Sequence, residues 1–167
     1  LFISSHFGNT EITRALGSMS SNREFNVLYY TKNSNKLFTL LKEFSPEIED
    51  NIIPVSNFGP EGGALISDKI ENGEWIFYAG DRLTSESNRT LKSSLLGHDI
   101  ELSQGPFLLG YLFDAPIYSF HCYRVGEKFK IETQDITPNI ERKRKNRDLF
   151  IETLAKNYIN EVEKLMA

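Results

Sequence analysis

Cysteine is almost absent from this sequence of 167 residues. Its single cysteine, Cys122, excludes an internal disulfide bond and a zinc site built from several cysteines. Cys122 lies in an apolar run of strand-forming residues, so we expect a buried and unreactive thiol. A reducing compartment fits a chain with so little cysteine.

Long apolar runs are missing as well. No stretch approaches the roughly 18 consecutive apolar residues that a membrane-spanning helix needs. The charged fraction of 25% and the hydrophobic fraction of 40% are typical of a globular protein. The net charge of −4 argues against general nucleic-acid binding, and we expect no nucleic-acid partner.

Several common catalytic motifs are also absent. The sequence has no Gly-x-Ser-x-Gly elbow, no phosphate loop ending in Gly-Lys-Ser or Gly-Lys-Thr, and no closely spaced histidine pair for a metal. We expect neither a metal nor a cofactor. Gly59, Gly62 and Gly63 around Pro60 could cradle a phosphate at a helix start, although a turn leading into a helix explains them better.

The sequence does contain alternating strand and helix patterns. Strand-like runs occur at 1–3, 25–30, 52–55 and 75–79, and helical stripes follow them. This alternation predicts an α/β fold with a mainly parallel central sheet flanked by helices. Pro54 cannot donate to a ladder, which makes the third strand an edge strand.

The C-terminal part has a different pattern. The runs 116–124 and 128–132 predict a hairpin, and a long amphipathic helix is expected from Asp148 onward. The length suits a single domain over residues 1–167. Because the chain opens with Leu1 inside an apparent core strand, we expect a piece of a longer protein.

The most informative stretch follows the first strand, where His6 begins the run His-Phe-Gly-Asn-Thr-Glu. The strand would bring His6 to the edge of the sheet, and Glu11 would lie in the first turn of the next helix. A carboxylate that accepts one ring N–H orients a histidine as a general base. The alternative is a histidine at a helix start that hydrogen-bonds only the backbone, and local sequence leaves both open.

A second candidate segment is Gly80-Asp81-Arg82, which follows the strand at 75–79. Ends of parallel strands open on the same sheet edge, so Arg82 could supply positive charge near His6. The alternative is an ordinary surface ion pair between Arg82 and Asp81.

Three sequence blocks together resemble a known family. They are HFGNTE from His6 to Glu11, AGDR from Ala79 to Arg82, and QGPFLLGYLFDAPIYSF from Gln104 to Phe120. Their order and spacing resemble the lysophospholipid acyltransferase superfamily, in particular the bacterial lipid A lauroyl/myristoyl acyltransferases and related predicted acyltransferases. The first block is similar to that family's catalytic His-x4-acid motif.

The resemblance implies an acyltransferase that moves a fatty acyl group from an acyl carrier protein or coenzyme A thioester to a lipid or glycolipid hydroxyl. His6 would be the general base and Glu11 would orient it. Backbone N–H groups of Gly8 and Asn9 would hold the oxyanion. Asp81 and Arg82 would contact the substrate. Such an enzyme would work on the cytoplasmic side of the inner membrane, in peripheral contact with it.

Two other functions stay open at this point. A thioesterase or hydrolase would use the same base with water as the acceptor, and a non-catalytic acyltransferase-like domain would only bind lipid. The identity of the acceptor is open as well. The lipid A enzymes carry an arginine where this chain has Thr31 and Lys32.

A basic cluster precedes the last helix and comprises Arg142, Lys143, Arg144, Lys145 and Arg147. On an acidic chain it could attach the protein reversibly to an anionic membrane surface. The alternative is a solvated polar lead-in to the helix, because most charge runs simply face water.

Overall fold

The computed structural model describes residues 1–7, 24–29, 52–54, 59–83 and 89–166. Its strands are β1 (Phe2–Ser4), β2 (Phe25–Tyr29), β3 (Ile52–Pro54), β4 (Trp75–Ala79), β5 (Thr90–Leu95), β6 (His98–Ser103), β7 (Tyr118–Val125) and β8 (Lys128–Asp135). Its helices are α1 (Pro60–Glu71), α2 (Gln104–Leu112) and α3 (Arg147–Met166), with a 3-10 turn at Arg144–Asn146. These elements confirm the predicted mixed α/β class with a long C-terminal helix.

The described residues fall into two compact units, one with residues 1–7 and 79–166 and the other with residues 24–29, 52–54 and 59–78. In the second unit, β2 pairs in parallel with both β3 and β4. The rings of Phe25 and Phe77 stack with centroids 3.7 Å apart. β3 ends this set of strands, as Pro54 predicts.

In the first unit, β1 pairs in parallel with β7, and β7 pairs antiparallel with β8. The β7–β8 turn places Gly126 at φ +61°, which glycine adopts without a side-chain clash. The predicted hairpin is therefore confirmed. Three of the four pairings named for β1, β2, β3, β4, β7 and β8 are parallel, which confirms the mainly parallel character.

The helix starts differ from the sequence-based expectation. α1 begins at Pro60, so Gly62 and Gly63 lie in its first turn and not in a loop before it. The N–H of Gly63 donates to the Gly59 carbonyl at 3.2 Å, so it is already used within the helix. The predicted turn before the helix is therefore wrong for Gly62 and Gly63, and only Gly59 precedes the helix, as its N-cap. α2 begins at Gln104, so Pro106 lies within its first turn.

The hairpin of β5 and β6 was not predicted. Its turn, Leu96-Gly97, has positive φ at both residues, 51° and 78°. Asparagine or aspartate usually occupies the first of these positions, and a leucine there hides the hairpin signal. The N–H of Leu96 donates to the Glu163 carboxylate on α3 at 2.6 Å, which ties the turn to that helix.

The core of the first unit forms along one face of α3. Its buried side chains are Phe150, Ile151, Leu154, Ala155, Tyr158, Ile159 and Val162. Consecutive members of this set are alternately one and three residues apart, which is the apolar stripe of an amphipathic helix. Leu149, an apolar residue in the first turn of the same helix, is exposed. None of the helices described in the structure is long and apolar enough to cross a membrane.

α2 packs across α3 through aromatic side chains. The Phe107 and Tyr158 rings lie 5.7 Å apart, and the Tyr111 and Phe150 rings meet edge-on at 5.8 Å. Phe107, Phe150 and Tyr158 are fully buried. Tyr158 is thereby held firmly at the point where α3 reaches the end of β1.

Candidate functional site

The candidate site forms where β1 ends. His6 follows β1 by two residues, and Asp81 follows β4 by two residues. The N–H of Gly80 donates to the Ser4 carbonyl at 2.9 Å, which joins the two segments directly behind His6 and Asp81. The sequence-based expectation that His6 lies just beyond the first strand is therefore confirmed, and Ile3 is the buried residue of that strand.

Asp81 binds His6 through both of its carboxylate oxygens. Oδ1 lies 2.9 Å from the ring Nδ1, and Oδ2 accepts the backbone N–H of His6 at 2.6 Å. Because a carboxylate oxygen only accepts, Nδ1 carries the hydrogen and Nε2 of the neutral ring keeps its lone pair. The His6 side chain is 48% exposed. The pair thus presents an oriented base to solvent.

The structure brings Asp81 to the ring nitrogen for which the sequence suggested Glu11. Glu11, Gly8 and Asn9 lie outside the described residues. The sequence argument that placed Arg82 near His6 was that parallel strands end at the same edge of the sheet. The same argument places Asp81 near His6. Asp81 was expected among the substrate-binding residues, and that role stays a prediction. In the structure both of its carboxylate oxygens contact His6.

Arg82 is exposed, and within the described part of the chain it makes neither a hydrogen bond nor an ion pair. The Asp81 carboxylate binds His6, so the alternative of an Asp81–Arg82 surface pair does not describe this segment. Arg82, the residue after Asp81, therefore carries a positive charge that no carboxylate among the described residues compensates.

Two buried polar side chains lie behind β1, and the sequence analysis did not select either of them. His121 Nδ1 is 3.1 Å from the Ser5 hydroxyl, and the Tyr158 hydroxyl donates to the Ser4 carbonyl at 3.1 Å. The two rings lie 6.3 Å apart. Ser119 and His121 are two residues apart on β7, so their side chains point to the same face of the sheet. This spacing is the sequence signal that could have identified His121 as a buried polar residue.

Burial shifts the pKa of both side chains. It lowers the pKa of His121, and the carboxylates of Glu161, Asp81 and Glu132 offset this only in part. Burial also raises the pKa of Tyr158 well above its usual value, and the negative charge of Asp81 raises it further. Both side chains are therefore uncharged at neutral pH.

The basic cluster does not present five exposed cations. The Arg142 guanidinium binds Asp114 Oδ1 at 2.9 Å and the Ala115 carbonyl at 2.8 Å, and it lies 4.8 Å over the Phe150 ring. The Arg142 side chain is therefore held by contacts within the protein and fixes the segment after α2. Membrane attachment through the cluster stays a prediction. Lys143 and Arg147 pair with Glu141 and Asp148 at the surface.

Among the described residues, no group of three or more histidine, cysteine, aspartate or glutamate side chains could hold a metal ion. Cys122 is buried with a free thiol, as the sequence suggested. A groove of about 870 Å³ lies beside α3, lined in part by Asp135, Glu161 and Glu163. It contains none of the candidate site residues.

No protein-family model matches the chain, and a search of curated proteins finds no match. The described residues define an α/β protein with a histidine–aspartate pair beyond the end of a parallel strand. The function is accordingly inferred from this pair and from the sequence blocks around it.

Gly80 is required where the two segments of the site meet. A Cβ at this position would lie 2.7 Å from Ile3 Cγ2 and 3.0 Å from Tyr158 Cζ. Both partners are fully buried and cannot withdraw. We expect Gly80→Ala to lower the free energy of unfolding by about 1–3 kcal/mol, measured by urea denaturation.

Gly63→Ala is the matched control, because a Cβ there meets nothing within 4 Å. Alanine replaces glycine inside α1, so this variant should be as stable as the wild type or more stable by up to about 1 kcal/mol. A Gly80→Ala protein that unfolds at the wild-type urea concentration would contradict the close packing at Gly80.

Proposed function

We propose that the protein is an O-acyltransferase that moves a fatty acyl group from an acyl carrier protein or coenzyme A thioester to a hydroxyl of a lipid or glycolipid. The observation that carries this proposal is the His6–Asp81 pair with its solvent-facing ring. The resemblance of the HFGNTE and AGDR blocks to lysophospholipid acyltransferases supplies the reaction type. The same proposal includes an acyltransferase-like fold. It also places the protein at the inner face of the inner membrane.

In the reaction, His6 Nε2 takes the proton of the acceptor hydroxyl while the oxygen attacks the thioester carbonyl carbon. A C–O bond forms, and the tetrahedral intermediate then collapses with cleavage of the C–S bond. The proton on Nε2 passes to the departing thiolate sulfur, which restores the neutral ring. A positioned base of this kind contributes about 10²–10⁴-fold to the rate.

Asp81 has two roles in this proposal. It holds the ring in the tautomer that leaves Nε2 basic, and its negative charge stabilises the imidazolium formed during attack. Its second oxygen accepts the backbone N–H of His6, which fixes the backbone that carries the ring at the sheet edge. The orienting role suggested for Glu11 and the oxyanion role suggested for Gly8 and Asn9 stay predictions.

Mass spectrometry of an acylated carrier protein, incubated with the protein and candidate lipids, tests the proposal. Acyl transfer predicts loss of the acyl group from the carrier and an equal gain of acylated lipid. Loss without any acylated lipid would identify a thioesterase, which uses the same base with water as acceptor. If the carrier keeps its acyl group with every candidate carrier and lipid, the result would favour the non-catalytic lipid-binding alternative.

Arg82 should hold an anionic group of the donor or the acceptor, because its charge is not compensated within the described residues. Charge-assisted contacts of this type change affinity strongly, so Arg82→Ala should lower kcat/KM by roughly ten- to a hundredfold. Arg89→Ala is the control, since Arg89 is also an exposed arginine and is not among the candidate site residues. Equal kcat/KM values for the two variants would remove Arg82 from the site.

A further inference from the structure

His121 is an unusual side chain for the core it occupies. It is 3% exposed, and its Nε2 has no hydrogen-bond partner within the described part of the chain. A buried polar atom without a partner destabilises a fold, and such atoms are uncommon in native cores. Leucine would fill the same space without this defect. A purely structural role therefore does not explain a histidine at this position.

The contacts of His121 and Tyr158 explain it better. His121 Nδ1 binds the hydroxyl of Ser5, the residue directly before His6. The Tyr158 hydroxyl binds the carbonyl of Ser4, which also accepts the N–H of Gly80, the residue directly before Asp81. Both lone pairs of that one carbonyl are thus used.

Each contact fixes backbone that carries a member of the pair. β7 reaches Ser5 through His121, and α3 reaches Ser4 through Tyr158. Ser5 is 4% exposed, so water does not compete for its hydroxyl. The Tyr158 ring is held in place, because it packs against Phe107 and against Gly80.

We infer that His121 and Tyr158 are positioning residues that hold the His6–Asp81 pair in its working geometry. They touch neither the reacting atoms nor the ring of His6 and act through Ser4 and Ser5. The expected effect on kcat rests on the proposed acyl transfer. The expected effect on the orientation of the His6 ring rests on the described contacts alone. Being uncharged, both supports leave the full charge of Asp81 to His6.

Two variants test this inference. Tyr158→Phe removes one hydroxyl, and the double variant Ser5→Ala with His121→Leu removes the second contact together with the unpaired Nε2. We expect each to lower kcat about tenfold with KM unchanged, since small displacements of a base from its proton slow the chemical step. The double variant should keep its Tm or gain a few degrees.

The second readout is independent of turnover. The ring ¹⁵N chemical shifts of His6 report which nitrogen carries the hydrogen, and both variants should show a mixture where the wild type shows Nδ1–H. Tyr111→Phe and Ser119→Ala are the controls. Tyr111 makes no hydroxyl hydrogen bond within the described residues, and Ser119 binds only the Gln134 carbonyl of β8.

The inference is overturned if both variants keep wild-type His6 shifts, whatever their turnover. It is also overturned if kcat falls only in proportion to the unfolded fraction, because that outcome shows a structural role. A wild-type protein that transfers no acyl group to any acceptor refutes the proposed function, and the His6 shifts then still decide between positioning and structure.

Discussion

Replacing His6 with glutamine should lower kcat for acyl transfer by about 10²–10⁴-fold. Glutamine is close to histidine in size and can still hydrogen-bond Asp81, but its amide cannot take a proton at neutral pH. The His6 side chain lies at the surface, so the substitution should leave the fold intact. The measurement is single-turnover transfer from an acylated carrier protein, with circular dichroism as the check on folding.

His98→Gln is the matched control, because His98 is an exposed histidine of β6 that belongs to no part of the candidate site. It should transfer acyl groups at the wild-type rate. If His6→Gln retained more than a tenth of wild-type kcat, another residue would be the base and the proposed mechanism would be wrong.

Replacing Asp81 with asparagine should lower kcat by about a hundredfold or more. The amide retains the shape of the carboxylate and can still accept one hydrogen bond. It loses the negative charge that stabilises the imidazolium, and its NH2 group favours the ring tautomer that has no lone pair on Nε2. The expected signature is a large fall in kcat with a small change in KM.

Asp99→Asn, on the exposed face of β6, is the control for the loss of one carboxylate. Glu11→Gln measured in parallel separates the two candidate orienting carboxylates. A wild-type rate for Asp81→Asn, together with a severe loss for Glu11→Gln, would assign the orienting role to Glu11. The contacts between His6 and Asp81 predict the opposite order.

Local sequence patterns were enough to predict most of the described elements. β1, β2, β4 and the hairpin of β7 and β8 follow from runs of strand-forming residues, and α3 follows from its apolar stripe. These patterns repeat over two to four residues, so the information lies within each segment. For the same reason the position of His6 just beyond β1 was predicted correctly.

The start of α1 and the hairpin of β5 and β6 were harder to predict from the sequence, although both are local features. Gly62 and Gly63 have low helix propensity, yet both lie inside the first turn of α1. Leu96 adopts a positive φ that leucine rarely adopts. Residue preference and structure disagree at these positions, so sequence patterns alone point the wrong way.

What only the tertiary structure decided is which side chains meet. His6 and Asp81 are 75 residues apart, Ser5 and His121 are 116 apart, and Ser4 and Tyr158 are 154 apart. The choice of Asp81 as the partner of the His6 Nδ1, and of His121 and Tyr158 as supports behind it, depends on strand pairing and helix packing. Spacing along the chain carries no information about such contacts, because neighbours in a parallel sheet are joined by long connections whose length leaves the partner undetermined.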